Sequence, residues 1–252
     1  MNVMASPMPG ISAEEWQTRC DLAALYRLVA YHRWTDLIYT HITAKVPGTE
    51  HFLINRYGVL FEHMRASDLV KLDLDGNEVG NSGSRINLAG YTIHSAVHGA
   101  RKDATCVVHT HTAAGIAVSA QKHGLLPISQ HALRFHGRLG YHGYEGIALD
   151  QDECPRLVRD LGPHPAMILQ NHGLLVAGRT IPEAWSLIYY LERACSAQVA
   201  ALSGGAEIVV PPKEVQDKTA AQFNGPNTLE HSAYAWECSL ALIEGQGSDW
   251  RQ

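Results

Sequence analysis

The feature that most constrains this chain is a short apolar run, residues 106–108, followed by His109 and His111. Such a run predicts a buried strand over residues 105–110. Side chains at positions i and i+2 of a strand project to the same side, so the two imidazoles converge where the strand ends. Because imidazole suits zinc, iron and manganese, the pair predicts a divalent metal site at this point.

Catalytic metal sites often use three protein ligands, so a third ligand is expected elsewhere in the chain. His172 is the best candidate, because it follows an apolar strand at 166–169 and precedes Gly173, which permits a tight turn. His94 and His98 form a rival pair, spaced i and i+4 on one helical face. We expect at least one of that pair to be a packed, hydrogen-bonded histidine.

Composition predicts one ordinary globular domain. The chain has 252 residues, of which 46% are hydrophobic and 18% are charged, which suits a full hydrophobic core and excludes a disordered chain. We therefore expect a single domain over residues 1–252, with residues 1–11 as a flexible N-terminal extension.

The charge and the cysteines restrict the partners and the compartment. A net charge of -5 without a basic run argues against nucleic-acid binding, and no apolar run reaches the roughly 20 residues of a membrane span. The five cysteines are widely spaced, no C-x-x-C pair occurs, and the first residues lack the pattern of a signal peptide. These features favour reduced thiols and a cytoplasmic location.

Helix and strand signals are mixed throughout the chain, which predicts a layered α/β/α or α+β domain with a mainly antiparallel sheet. Strands are expected at 38–46, 52–55, 59–61, 105–110, 166–169 and 174–177, with a hairpin at Asp75-Gly76. Helices are expected from Ser12, over 87–101, 112–122, 151–161 and 180–202, and twice in the last 40 residues.

Three segments together resemble the class II aldolase/adducin superfamily. In residues 87–112 a helix ends in an R-x-D turn, Arg101 to Asp103, and leads into a strand closed by H-x-H. Residues 170–178, Gln-Asn-His-Gly-Leu-Leu-Val-Ala-Gly, and residues 52–58, Phe-Leu-Ile-Asn-Arg-Tyr-Gly, are also similar to the family. The resemblance runs in the right order over roughly residues 15 to 205.

The resemblance implies a fold, a cofactor and an assembly. The fold is a three-layer α/β/α arrangement around a central, mostly antiparallel sheet. The cofactor is a divalent ion on His109, His111 and His172, with zinc favoured and manganese or iron as alternatives. The assembly is a cyclic homotetramer with sites near the subunit interfaces.

The chain departs from the sugar-phosphate aldolases of this family at the catalytic glutamate. An ungapped alignment on His109 places Gly90 at that position, and glycine cannot act as an acid or a base. The turns that cradle the phosphate in the family are also altered here, at residues 34–39, 55–58 and 87–89. The resemblance therefore implies a substrate without a phosphate group.

Several other side chains are candidates for the site. His94 lies one turn after Gly90 and is the predicted proton carrier. Arg85, Arg134 and Asn55 are the predicted substrate-binding residues, with Arg85 placed to clamp a carboxylate. Structural or solvated roles are assigned to the histidines that have no motif around them, namely His32, His41, His51, His63, His123, His164 and His231.

These observations predict a metal-dependent carbon–carbon lyase, with decarboxylation slightly favoured over retro-aldol cleavage. The expected substrate is a small, non-phosphorylated hydroxy or keto carboxylate. A non-haem iron oxygenase on the same fold is one alternative, since Gly90 leaves room for dioxygen. A non-enzymatic, adducin-like interaction module is the other.

Overall fold

The computed structural model describes residues 8–80, 83–147, 151–247 and 249–252, and only the backbone of residues 88 and 89. It contains seven strands, β1 (His41–Lys45), β2 (Phe52–Asn55), β3 (Leu69–Leu72), β4 (Cys106–Thr110), β5 (Leu139–His142), β6 (Ala166–Leu169) and β7 (Gly173–Gly178). They form one sheet in the order β3-β2-β1-β4-β7-β6-β5. Every neighbouring pair is antiparallel except β5 and β6, so the predicted mostly antiparallel sheet is confirmed.

Eight α-helices accompany the sheet in the described chain: α1 (Ala13–Tyr31), α2 (Leu88–Ala100), α3 (Ala113–Ser119), α4 (Gln130–Leu133), α5 (Cys154–Leu161), α6 (Ile181–Ser203), α7 (Lys213–Phe223) and α8 (Thr228–Leu240). Short 3-10 turns lie at Phe61–His63, Ala66–Asp68 and Gln151–Glu153. No helix within the described ranges is both long and apolar enough to cross a membrane.

The helices cover both faces of the sheet, which gives the three layers expected from the sequence. One core joins α1, α6 and α8 to the sheet face that carries Cys106 and Val108. A second core joins α2 and α5 to the opposite face, which carries Val107. Because side chains alternate along β4, His109 projects to the same face as Val107, towards α2.

Two of the predicted strands are wrong in extent or in kind. The strand predicted over 38–46 begins only at His41, because Leu37 and Thr40 have positive φ values of 51° and 64°, which an extended strand does not accommodate. Residues 59–61 form a loop that enters the 3-10 turn instead of a strand. No strand is predicted at residues 139–142, where the structure has β5, which is short and contains Gly140.

Part of the expected N-terminal extension is docked on the domain. Residues 1–7 lie outside the described residues. Met8 and Ile11 pack against a small buried cluster that includes Trp16 and Cys20 on α1. Residues 8–11 are therefore packed against the domain.

A buried tyrosine ties α1 to two strands. The Tyr26 hydroxyl accepts hydrogen bonds from the backbone N–H groups of Ile42 at 2.8 Å and Asn55 at 3.2 Å. Its oxygen also lies 2.9 Å from Asn55 Oδ1. The Asn55 side chain is thus turned into the core, where it joins β2 to α1.

We expect Tyr26→Phe to lower the free energy of unfolding by about 1–3 kcal/mol, because it leaves buried polar groups of Ile42 and Asn55 without a partner. Urea unfolding followed by circular dichroism measures this loss. Tyr234→Phe is the matched control, since Tyr234 is 72% exposed. Equal stabilities for the two variants would contradict the structural role of the Tyr26 hydroxyl.

Candidate metal centre

Three histidines from two neighbouring turns of the sheet converge on one point. His109 is the last residue but one of β4, His111 follows the strand, and His172 lies in the turn between β6 and β7. One ring nitrogen from each of the three lies within 4.8 Å of the other two. The structure thus brings together the three residues that the sequence pattern selected as ligands.

The tight turn at His172 depends on a close approach between two strands. A Cβ atom on Gly173 would lie 2.2 Å from the carbonyl oxygen of Thr110, so only glycine fits there. Asn171, which precedes His172, has a left-handed φ of 55°. This backbone geometry directs the His172 ring towards the end of β4.

The partners of His109 and His111 orient both rings in the way a metal ligand requires. His109 Nδ1 donates to the carbonyl oxygen of Leu174 at 2.9 Å, and His111 Nδ1 donates to Asp36 Oδ2 at 2.9 Å. In each neutral ring this leaves Nε2 as a lone-pair donor.

The two Nε2 atoms lie only 2.8 Å apart. Two lone pairs cannot hydrogen-bond to each other, whereas a cation would satisfy both. The donor set therefore fits a divalent ion, with Leu174 and Asp36 fixing the ring orientations behind it.

Burial keeps two of the three ligands in the form that binds metals. It holds the pKa of His109 well below its usual value and lowers the pKa of His172 to about 4, and the neighbouring imidazoles act in the same direction. Both rings are thus neutral at neutral pH.

A buried carboxylate on α6 holds the backbone on both sides of His111. Glu192 accepts hydrogen bonds from the hydroxyl groups of Thr110 and Thr112, the latter at 2.6 Å. Burial raises the pKa of Glu192 to about 7, against the effect of these two bonds. Thr112 also accepts from the N–H of Gly115 and so caps α3.

The three histidines lie in the wall of a mostly apolar pocket with a volume of about 370 Å³. Its apolar walls include Tyr39, Ile93, Tyr144 and Ile147. No lysine or arginine occurs among the described residues that line it. The pocket therefore suits a small ligand with an apolar part and no phosphate group.

His41 occupies the space beside Gly90. A Cβ atom on Gly90 would lie 2.5 Å from both Cγ and Nδ1 of the His41 ring, so a side chain at position 90 and this ring exclude each other. His41 also lines the pocket, and its ring centre lies 5.4 Å from that of His109. A structural or solvated role is expected for His41 from the sequence, and in the structure it is buried and lines the pocket.

The other predicted site residues lie away from the pocket lining. His94 is fully buried on α2 behind His41, with its Nδ1 2.7 Å from the Thr43 hydroxyl. Arg85 is exposed, and its carbonyl oxygen accepts from the N–H of Tyr57. Direct substrate contact by His94 and Arg85 therefore stays a prediction.

Arg134 and Asn55 are engaged within the core, and substrate binding by them stays a prediction. Arg134 lies over the Tyr190 ring at 4.8 Å and donates to the Ser186 hydroxyl at 3.1 Å. Asn55 is engaged with Tyr26. Neither side chain is among the residues that line the pocket.

Comparisons with known proteins agree with the fold. Residues 20–199 match the family described as the Class II Aldolase and Adducin N-terminal domain. An aldolase II superfamily protein from Pseudomonas syringae is 53% identical, with a TM-score of 0.91 over 96% of this chain and 98% of that structure.

Two further relatives point in different functional directions. The L-fuculose 1-phosphate aldolase from Glaciozyma antarctica is 26% identical, with a TM-score of 0.85 over 99% of this chain and 98% of that structure. Rat alpha-adducin is 47% identical over 198 residues, which are 76% of this chain but only 27% of the adducin.

We expect Asp36→Asn to weaken zinc binding about 10–100-fold, because it removes the carboxylate that orients His111. Competition with a chromophoric chelator measures the affinity. Asp217→Asn is the matched control, since Asp217 accepts from His136 in an exposed pair away from the pocket. The same zinc affinity in both variants would show that Asp36 does not support the site.

Stability should fall as the pH is lowered below 6.5, because buried histidines stay neutral in the folded chain. Burial lowers the pKa of His41 and of His98 to about 3. Below pH 6.5 the unfolded chain binds more protons than the folded chain. His41 and His98 therefore each lower the free energy of unfolding by roughly 1.4 kcal/mol at pH 5.5.

Urea unfolding of the metal-free protein at pH 7.5 and 5.5 measures this decline. In His98→Gln the decline should be smaller by roughly 1.4 kcal/mol, whatever the stability of that variant at pH 7.5. A decline of the same size in the variant and in the wild type would refute the assignment.

Proposed function

This chain belongs to the class II aldolase and adducin family, and from that premise we propose that it is a divalent-metal-dependent carbon–carbon lyase. The proposed substrate is a small, non-phosphorylated hydroxy or keto carboxylate, with decarboxylation favoured over retro-aldol cleavage. One observation carries the proposal: His109, His111 and His172 direct ring nitrogens at one point in the wall of an apolar pocket.

The chemistry of the proposal follows from the donor set. A divalent ion bound there supplies Lewis-acid polarisation of a carbonyl group and offsets the negative charge that develops beside it during bond cleavage. The imidazoles of the three histidines would hold the ion, and Asp36 and the Leu174 carbonyl keep the His111 and His109 rings oriented. Zinc is the favoured ion, and manganese or iron would suit the same ligands.

The pocket lining supports a carboxylate without a phosphate. Since the described lining contains no lysine or arginine, a divalent ion held by the three histidines would balance the charge of the carboxylate. Ile93, Tyr144 and Ile147 supply apolar surface for the remainder of the molecule.

A homotetramer in the cytoplasm is part of the proposal. Leu37, Tyr39 and Ile147, which lie at or beside the pocket mouth, are 73%, 49% and 76% exposed. Large apolar side chains at such a position favour a neighbouring subunit that covers them. All five cysteines are free thiols, which supports a reducing compartment.

We expect His109→Ala and His172→Ala to lose the bound metal and to lose activity by at least about a hundredfold, because each removes a ligand. The assay is carbon dioxide release from a panel of aromatic and aliphatic hydroxy and keto acids, with metal content measured by elemental analysis. His136→Ala is the control, because His136 pairs with Asp217 outside the pocket. Variants that keep both metal and activity would refute the proposal.

A measurement of oxygen consumption separates the oxygenase alternative. Oxygen consumption with aromatic keto acids that occurs with iron and not with zinc would assign the three histidines to an oxygenase.

A non-enzymatic interaction domain is the second candidate, favoured by the 47% identity to rat alpha-adducin. The retained set of three histidines argues for the enzyme instead. A purified protein that holds no metal and gains no activity from added zinc, manganese or iron would favour the interaction domain.

A further inference from the structure

A row of hydrogen-bonded side chains, His98, Thr43 and His94, lies behind the pocket wall, between β1 and α2. His98 Nδ1 lies 3.2 Å from the carbonyl oxygen of Ala104, and His98 Nε2 lies 2.7 Å from the Thr43 hydroxyl. The same hydroxyl lies 2.7 Å from His94 Nδ1. The centre of the His94 ring is 4.6 Å from the centre of the His41 ring, which lines the pocket.

The direction of each hydrogen bond in this row follows from the bond between His98 and the Ala104 carbonyl. The Ala104 carbonyl only accepts, so His98 carries its hydrogen on Nδ1 and accepts at Nε2. Thr43 must then donate to His98, which leaves its oxygen to accept from His94 Nδ1. His94 is therefore left with a lone pair on Nε2, which is buried without a hydrogen-bond partner in the described chain.

This assignment needs neutral rings, and burial supplies that condition. Burial lowers the pKa of His98 and of His41 to about 3 and holds the pKa of His94 well below its usual value. Among the described residues, the charged or titratable neighbours that act on them are Lys45, beside His98, and the other imidazoles, all of which favour the neutral form.

His41 has no hydrogen-bond partner on either ring nitrogen within the described chain, and both nitrogens are buried. The Thr40 backbone and the His94 ring lie beside it. A neutral imidazole has one N–H and one lone pair. The nitrogen without the hydrogen is therefore an acceptor that still needs a donor.

Glycine at position 90 leaves room for the buried His41 ring at the pocket wall. The His41 ring lies in the space that any Cβ at Gly90 would occupy, and it adjoins the pocket that contains His109 and His111. A hydroxyl group on a ligand held at the three histidines is a donor of the required kind. The apolar walls of the pocket accept the remainder of such a ligand.

We propose that His41 accepts a hydrogen bond from a substrate hydroxyl group, and that Thr43 and His98 are positioning residues that hold His94, with its hydrogen on Nδ1, behind the His41 ring. The substrate class is a 2-hydroxy carboxylate with an apolar or aromatic substituent. The role requires no change in the protonation of His41. Recognition of this substrate rests on the proposed function, whereas the arrangement of hydrogens does not.

The arrangement of hydrogens is tested by solid-state NMR of the zinc-loaded full chain labelled with ¹⁵N-histidine. We expect neutral rings at pH 7, with the hydrogen on Nδ1 in both His94 and His98, assigned through His→Gln variants. Thr43→Val should release this tautomer of His94, and Thr43→Ser should retain it. A hydrogen on Nε2 of His94 in the wild type, or a charged ring, would overturn the proposed arrangement of hydrogens.

Hydroxyl recognition is tested by calorimetry with mandelate and phenylacetate, which differ by one hydroxyl group. The preference of the wild type for mandelate should fall about tenfold in His41→Leu, because a buried hydrogen bond is lost. Thr43→Ser should keep the preference. A His41→Leu variant that keeps the full preference would overturn the proposal.

A glycine pair on α2 gives a matched test that leaves His41 in the sequence. Gly90→Ala places a Cβ against the His41 ring, whereas a Cβ at Gly99 meets nothing within 4 Å. Gly90→Ala should lose the preference for mandelate and still bind zinc, and Gly99→Ala should keep both. Equal preferences in the two variants would count against the role of His41.

The two parts of the inference fail separately. A wild type that binds neither carboxylate, or no zinc, refutes the proposed function and hydroxyl recognition with it. The arrangement of hydrogens is then judged by the tautomers of His94 and His98 in the metal-free protein alone.

Discussion

The close pairing of β4 with β7 is the constraint on which the site depends. Thr110 lies opposite Leu174 in this pairing. Gly173, the residue before Leu174, approaches the Thr110 carbonyl so closely that no side chain fits. That contact places the turn carrying His172 beside the end of β4. The ring orientations follow from the same pairing, since the Leu174 carbonyl accepts from His109.

Local patterns were sufficient to predict the parts of the site that depend on neighbouring residues. The i, i+2 spacing of His109 and His111 and the turn signal at Gly173 are properties of short segments. The layers and the mostly antiparallel sheet followed from the order of helix and strand signals and from the family resemblance. The contacts of Arg134 with Tyr190 and of Asn55 with Tyr26 could not be predicted, because they join segments that are far apart in the sequence.

His41 was missed for a different physical reason. Its place in the pocket depends on the register of β1 against β4, where His41 is paired with His109. That register is set by side chains far apart in the sequence and by the left-handed turn at Thr40, which starts the strand later than the alternation predicted. A single sequence contains little information about either.

The mutual exclusion of His41 and a side chain at position 90 bears on how such a site can change during evolution. An acidic residue introduced at position 90 alone meets the imidazole, and replacement of His41 alone leaves its space unfilled. The two positions are therefore epistatic: a residue acceptable at one is defined by the residue at the other. A lineage that moves between a carboxylate and an imidazole at this place must change both, or pass through an intermediate in which neither group is held.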